Sequence, residues 1–251
     1  MGELTVQAAV EVTERLQALA QRHRSANGVG MRLISAIGGS AENLLERLPD
    51  SVKNGLETAT EAALTRAFEA ARRSRGLLGD QSDWLNKAVA AALGAAGGAG
   101  GLPTALAELP VTATVLLRAI QGIAAELGFD PEDEVTRADC IRVFASAGPM
   151  TNDDAADLGF LAARVTISGS GLNALIARVA PRLAGAFGQK IAAQSAPVAG
   201  AITGAAINYV FTSYYQDMAR VHFGLRRLAE DTGRDRAELA EALRGMIERK
   251  G

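Results

Sequence analysis

The chain contains 251 residues, of which 48% are hydrophobic but only 4% are aromatic, and its formal net charge is −2. Alanine, leucine and glycine supply most of the apolar content, a composition that favours closely packed helices over sheets. The small net charge excludes a general electrostatic attraction to nucleic acid, and the single cysteine, Cys140, excludes a disulfide framework.

The first third of the chain predicts three helices. Residues 4–24 repeat apolar positions with a helical period and lack the features of a secretory signal. A second helix is expected over 27–48, and a third begins at Asp50 or Ser51 and runs to about Arg75. The arginines at the end of this third helix are interpreted as helix termination rather than as a nucleic-acid patch, because cations stabilise the carboxyl end of a helix.

Two glycine-rich blocks without a charged residue stand out in the remainder of the chain. They span 88–107 and 191–216. Small residues recur in them at a spacing of four, as at Gly94 and Gly98, and this pattern lets neighbouring helix backbones approach closely. We therefore expect the blocks to pack together as central, buried helices. A hairpin that enters a membrane is the alternative, since about twenty apolar residues can cross a bilayer.

The other segments are also helical by their pattern. Pro110 is expected to open a helix that ends at Gly128, and Asp130 is expected to cap the next helix, which carries Cys140. Further helices are predicted over 152–168, 172–194, 197–228 and 234–249.

The glycine-rich segments lack the motifs of nucleotide-binding sites. No lysine follows Gly101, as a phosphate-binding loop requires, and Gly98 lacks the spacing of a dinucleotide-binding fingerprint. His23, His222 and Cys140 do not have the spacing of metal ligands. We therefore expect no cofactor and no metal.

Two long segments resemble the EcsC family of bacterial proteins. They are GGLPTALAELPVTATVLLRAIQGIAAELGFDPEDEVTRADCIRVFASAG and APVAGAITGAAINYVFTSYYQDMARVHFGLRRLAE. The resemblance covers about 85–231 and, more weakly, the first eighty residues. The matching positions are Gly101–Pro103, Ala107–Thr112, Arg118–Gln121, Gly128–Asp130, Asn208, Phe211, Gln216, His222, Phe223 and Arg226. The resemblance implies a relative of a protein that is encoded beside an ABC transporter. A hydrolase label accompanies the family, but the resemblance implies no catalytic residues.

Glu108 is a carboxylate between two apolar runs. A buried carboxylate must be paired or partly neutral. We expect either an ion pair with Arg118 or another arginine, or a role as a general base or head-group contact. Asn208 lies on the small-residue face of the second block, and its amide is expected to form a hydrogen bond with the backbone near Pro103.

His222 and Arg226 are four residues apart and share a helix face. The pattern is compatible with pairing to Glu230 at the surface or with a site for an anion or phosphate head group. The aromatic residues concentrated in the same segment suit either a lipid interface or a core. They are Tyr209, Phe211, Tyr214, Tyr215 and Phe223.

These arguments define two sets of residues. The candidate ligand-binding residues are Glu108, Arg118, Asn208, Tyr209, Phe211, His222 and Arg226. The residues that we expect to be structural are Gly98, Gly101, Pro103, Pro110, Gly128, Asp130, Gly200 and Gly204.

The sequence thus predicts one all-α domain with two central glycine-rich helical blocks. Residues 1–80 are expected to pack on an EcsC-like core at 81–233, and 234–251 to form a polar terminal helix. We expect a non-enzymatic, membrane-associated or lipid-binding protein, as an ABC-transporter accessory, in the cytoplasm at the inner face of the membrane. The alternatives are a hydrolase with a site around Glu108 and His222, and a soluble scaffold that acts through a protein partner. No nucleic-acid partner is expected.

Overall fold

The fold is all-α, as predicted. The computed structural model describes residues 2–37, 45–46, 48–75, 87–93, 101–146, 148–149, 171–194 and 200–249, and no strand occurs within these ranges. They contain α1 (Gly2–Ile37), α2 (Asp50–Arg75), α3 (Gly101–Glu126), α4 (Glu134–Val143), α5 (Gly171–Gln194), α6 (Gly200–Thr232) and α7 (Arg236–Glu248). Residues 87–93 are also helical.

Two predicted helix boundaries are wrong. The first two predicted helices are a single helix, α1, which continues through Gly28 because a helical glycine costs only about 1 kcal/mol relative to alanine. Pro110 lies inside α3 instead of opening a helix. Pro110 has no N–H group, so α3 loses one backbone hydrogen bond at this position. The burial of its neighbours Leu109 and Ala113 in the core offsets this loss.

The cap of α4 also differs from the prediction. Asp133, not Asp130, is the N-cap, and its carboxylate accepts a hydrogen bond from the Thr136 backbone N–H. Asp130 instead accepts from the Glu132 backbone N–H at 2.9 Å, within the turn that precedes the helix. Gly128 has a φ of 83°, which fits its predicted place after the end of α3.

Some predictions fall outside the described residues. They include the helix at 152–168 and the environment of Gly98. For Gly101, Pro103 and Gly200, the structure describes a helical backbone but not the surroundings of the residue.

Two hydrophobic cores share α6. The larger core joins α2, α3, α4, α5 and α6, and the smaller one lies where α1 and α7 pack against the carboxyl half of α6. The two predicted central helices are therefore neighbours, since α3 packs against α6. Among the described residues, one stretch, Leu106–Glu126, is long and apolar enough to cross a membrane, and 61% of it is buried within the protein. This burial is typical of a core helix.

Gly148 combines a left-handed backbone conformation with a close contact to a neighbouring helix. Its φ is 93°, and a Cβ atom would lie 2.8 Å from the Ala186 Cβ on α5. We expect Gly148→Ala to lower the free energy of unfolding by about 1–3 kcal/mol in urea denaturation. Gly122→Ala is the control, because its Cβ would have no neighbour within 4 Å. An equal effect of both variants would contradict the close contact at Gly148.

Candidate functional site

Glu108 is the centre of a buried network that joins α3, α5 and α6, which we call the lysine network. Its Oε1 atom accepts hydrogen bonds from Thr112 Oγ1 at 2.8 Å, Lys190 Nζ at 3.0 Å and Asn208 Nδ2 at 2.6 Å. Lys190 Nζ also donates to Thr112 Oγ1 at 3.3 Å. Asn208 Nδ2 donates in addition to the Ala90 carbonyl at 2.8 Å, so the network also holds the helical segment 87–93.

This network corrects two predicted contacts. Glu108 pairs with Lys190 rather than with Arg118, because the uninterrupted α3 places Arg118 ten residues, or about 15 Å, further along the helix. Asn208 donates to the Ala90 carbonyl rather than to the backbone near Pro103.

The lysine network is buried, and two of its oxygens are incompletely hydrogen-bonded within the described part of the chain. The Lys190 side chain has no exposed surface, and burial lowers its pKa although the Glu108 carboxylate opposes that shift. Two buried oxygens, Glu108 Oε2 and Asn208 Oδ1, have no hydrogen-bond partner among the described residues. Both are acceptors, so the network could receive a hydroxyl or ammonium donor.

Three residues with exposed apolar side chains are close in sequence to members of the lysine network, and we call these three residues the apolar end. Val89 is next to Ala90, Tyr209 is next to Asn208, and Val111 lies one turn after Glu108. Val89 is 38% exposed, and Tyr209 and Val111 are each 47% exposed. The ammonium of Lys87 lies 5.7 Å from the centre of the Tyr209 ring.

A second polar assembly, the arginine cluster, surrounds the buried carboxylate of Asp139 on α4. Oδ1 of Asp139 contacts Arg142 Nη1 at 2.7 Å and His222 Nε2 at 3.0 Å. Oδ2 contacts Arg226 Nη1 at 3.2 Å and Arg236 Nη1 at 3.5 Å. One carboxylate therefore receives four donor groups from α4, α6 and α7.

The pKa values in the arginine cluster follow from burial and charge. Burial alone would raise the pKa of Asp139, but His222 and the arginines outweigh it and hold that pKa well below its usual range. Burial lowers the pKa of His222, although Asp139 opposes this shift and Arg236 reinforces it. Asp139 is consequently an ionised acceptor at neutral pH.

Arg226 connects the cluster to its surroundings. Its guanidinium stacks on the Phe129 ring, with Cζ 4.1 Å from the ring centre. Its Nη1 donates to Thr136 Oγ1 at 3.2 Å, and its Nε donates to Glu230 Oε1 at 3.2 Å. The predicted pairing with Glu230 is thus correct for Arg226. It is wrong for His222, which is buried and contacts Asp139 instead.

The structure separates the predicted site residues into two groups. Glu108, Asn208 and Tyr209 are together, whereas His222 and Arg226 lie fourteen or more residues further along α6, about 21 Å away. Glu108 and His222 therefore do not form one site. Of the clustered aromatic residues, Tyr209 is exposed, and the others are core residues. These are Phe211, Tyr214, Tyr215 and Phe223.

Sequence reasoning missed four members of the two assemblies, Lys190, Asp139, Arg142 and Arg236. Lys190 carried a usable signal, because it is the only charged residue between Arg182 and Asp217. Within the described ranges, no group of three or more His, Cys, Asp or Glu side chains is arranged to hold a metal ion.

A comparison with protein families matches the EcsC protein family over residues 50–228, which is most of the chain. The chain belongs to the EcsC family. The EcsC match contains the whole lysine network and all of the arginine cluster except Arg236. No curated protein and no solved structure is significantly similar to the chain.

Proposed function

We propose that this protein is a non-enzymatic lipid-binding protein that associates peripherally with the cytoplasmic face of a membrane. The observation that supports this function best is the apolar end, whose three exposed apolar side chains belong to residues close in sequence to members of a buried polar network. Large exposed apolar side chains cost free energy in water unless another apolar phase covers them.

A bilayer is the occupant that the neighbouring sequence favours. The apolar end is continuous with the two blocks 88–107 and 191–216, neither of which carries a charge that would oppose contact with lipid. The burial of Leu106–Glu126 within the protein favours attachment at the surface over a spanning helix.

The polar groups of the apolar end suit the boundary of a bilayer. Tyr209 has an apolar ring with a polar hydroxyl, a combination that is common at the level of lipid head groups. Lys87 beside it supplies a cation for anionic lipid. The unpartnered oxygens of Glu108 and Asn208 match the hydroxyl or ammonium donors of a lipid head group.

Vesicle binding tests the proposal. We expect the protein to float with vesicles of mixed phosphatidylglycerol and phosphatidylcholine, and Val89→Asp/Val111→Asp to weaken that binding roughly tenfold or more, because two apolar contacts of about 1 kcal/mol each are lost. The matched control is Val135→Asp on α4, which changes an equally exposed valine, 49% accessible, away from the apolar end.

Two outcomes would contradict the proposal. One is that the wild-type protein remains entirely in the vesicle-free fraction, and the other is that the double variant and Val135→Asp lose binding equally. Either result would favour the scaffold or hydrolase alternatives.

A further inference from the structure

We propose that the arginine cluster is a binding site for an oxyanion of the phosphate class, held by the guanidinium groups of Arg236 and Arg226. This inference is independent of membrane association, because the cluster lies about 21 Å along α6 from the apolar end.

The first argument is the charge of the cluster. Three arginines surround one carboxylate, so Asp139, Arg142, Arg226 and Arg236 together carry a net charge of +2. Two further carboxylates lie nearby, since Glu230 contacts Arg226 and Asp133 accepts a hydrogen bond from the Thr136 hydroxyl to which Arg226 donates. The arginine cluster nevertheless concentrates guanidinium donors in one place, and such groups bind oxyanions.

The second argument is the hydrogen bonding of Arg236. Its Nη1 reaches Asp139 only at 3.5 Å, and its buried Nε has no acceptor within the described ranges. Its Nη2 lies 2.9 Å from His222 Nε2 and 3.4 Å from His222 Nδ1. A donor at similar distances from both ring nitrogens cannot point along the in-plane lone pair of either.

The protonation of His222 strengthens this argument. His222 Nε2 is 3.0 Å from Asp139 Oδ1, and an ionised carboxylate can only accept a hydrogen bond. Nε2 must therefore donate to Asp139, and it cannot also accept from Arg236. The Nε group of Arg236 thus has no acceptor among the described residues, and Nη2 has only the distant Nδ1 of His222, at 3.4 Å. These two groups form the edge of a guanidinium that binds carboxylate or phosphate through two parallel hydrogen bonds.

The third argument is access. The side chains of Arg236 and Arg226 are 15% and 17% exposed, whereas those of Arg142 and Asp139 are almost completely buried. The two outer arginines therefore connect the buried charge to solvent. The anion could be free phosphate, a soluble phosphate ester or the phosphate of a lipid head group, since all present the same oxygens.

Phosphate binding by the full chain tests the site. We expect saturable binding of inorganic phosphate in calorimetry, at pH 7 and at an ionic strength held constant with chloride. Arg236→Gln should weaken the affinity at least tenfold, and Arg236→Lys should weaken it severalfold, because lysine keeps the charge but loses the two-donor edge. Arg244→Gln is the control on the same helix, since Arg244 is at the surface and pairs with Glu248.

The outcomes discriminate between an anion site and a purely structural cluster. If Arg236→Lys folds and binds phosphate as tightly as the wild-type protein, or if the wild-type protein responds no more to phosphate than to chloride, the proposal is overturned. Vesicles identify the source of the phosphate group. Vesicle binding that soluble phosphate competes away, and that Arg236→Lys reduces, assigns the site to a lipid head group. Phosphate binding without this competition assigns it to a soluble anion.

Discussion

Replacing Glu108 with leucine is expected to lower the free energy of unfolding by about 3–5 kcal/mol, because the fully buried Lys190 ammonium would lose its only carboxylate partner among the described residues. Asn208 and Thr112 would lose an acceptor in the same change. Burial already lowers the pKa of Lys190, so deprotonation of its ammonium group would reduce this loss of stability.

Urea denaturation followed by circular dichroism measures this effect. The double variant Glu108→Leu/Lys190→Met is the matched control, since it removes both charges and replaces them with apolar side chains of similar size. It should recover most of the lost stability. If the double variant loses as much free energy of unfolding as Glu108→Leu and Lys190→Met lose together, the two residues do not interact as an ion pair.

Asp139→Asn is expected to be about as destabilising, at roughly 3–5 kcal/mol, because Arg142, Arg226 and Arg236 would remain close together without the carboxylate that they share. Asp217→Asn is the control. Asp217 pairs at 2.9 Å with the more exposed Arg22, and a surface pair contributes about 0–1 kcal/mol.

The pH dependence of this difference has a defined sign. The pKa of Asp139 is lower in the folded protein than the value of about 3.9 for an unfolded chain. Its stabilising contribution is therefore complete above about pH 4 and is lost as the pH falls further. In parallel urea titrations, the difference in stability between the wild-type protein and Asp139→Asn should therefore be smaller at about pH 3 than at about pH 5. A difference that stays constant over this range would mean that the folded pKa of Asp139 is not depressed.

The helical content could be predicted from the sequence because apolar periodicity and capping residues are local signals. The ends of α2 and α7 follow directly from such signals. Pro110 misled the prediction because a proline breaks a helix only when tertiary contacts do not offset the lost hydrogen bond, and those contacts come from distant segments.

The lysine network was partly predictable. Glu108 is the only charged residue between Lys87 and Arg118, and Lys190 is equally isolated in its own apolar stretch. Two isolated opposite charges, in segments expected to pack together, must find each other because burial of either charge alone is too costly. The sequence therefore indicates that Glu108 needs a cationic partner, but the expected partner was an arginine rather than Lys190.

The arginine cluster was less accessible to such reasoning. Asp139 lies on a short helix with several other charged residues, and nothing in its local sequence distinguishes it from a solvated side chain. Its burial results from the way in which α4 docks against α6 and α7, and such long-range geometry has no signal in a single sequence.

The smaller core depends on helices that lie outside the segment matched to the EcsC family. The match to the EcsC family ends at 228, but Val221, Leu225 and Leu228 of α6 are covered by α1 and α7, which both lie outside it. Arg236, also outside, reaches back to Asp139 within it. The matched segment therefore lacks two helices that complete its hydrophobic contacts in this chain. A fragment cut at the limits of the match would leave three aliphatic side chains and a buried carboxylate partly uncovered.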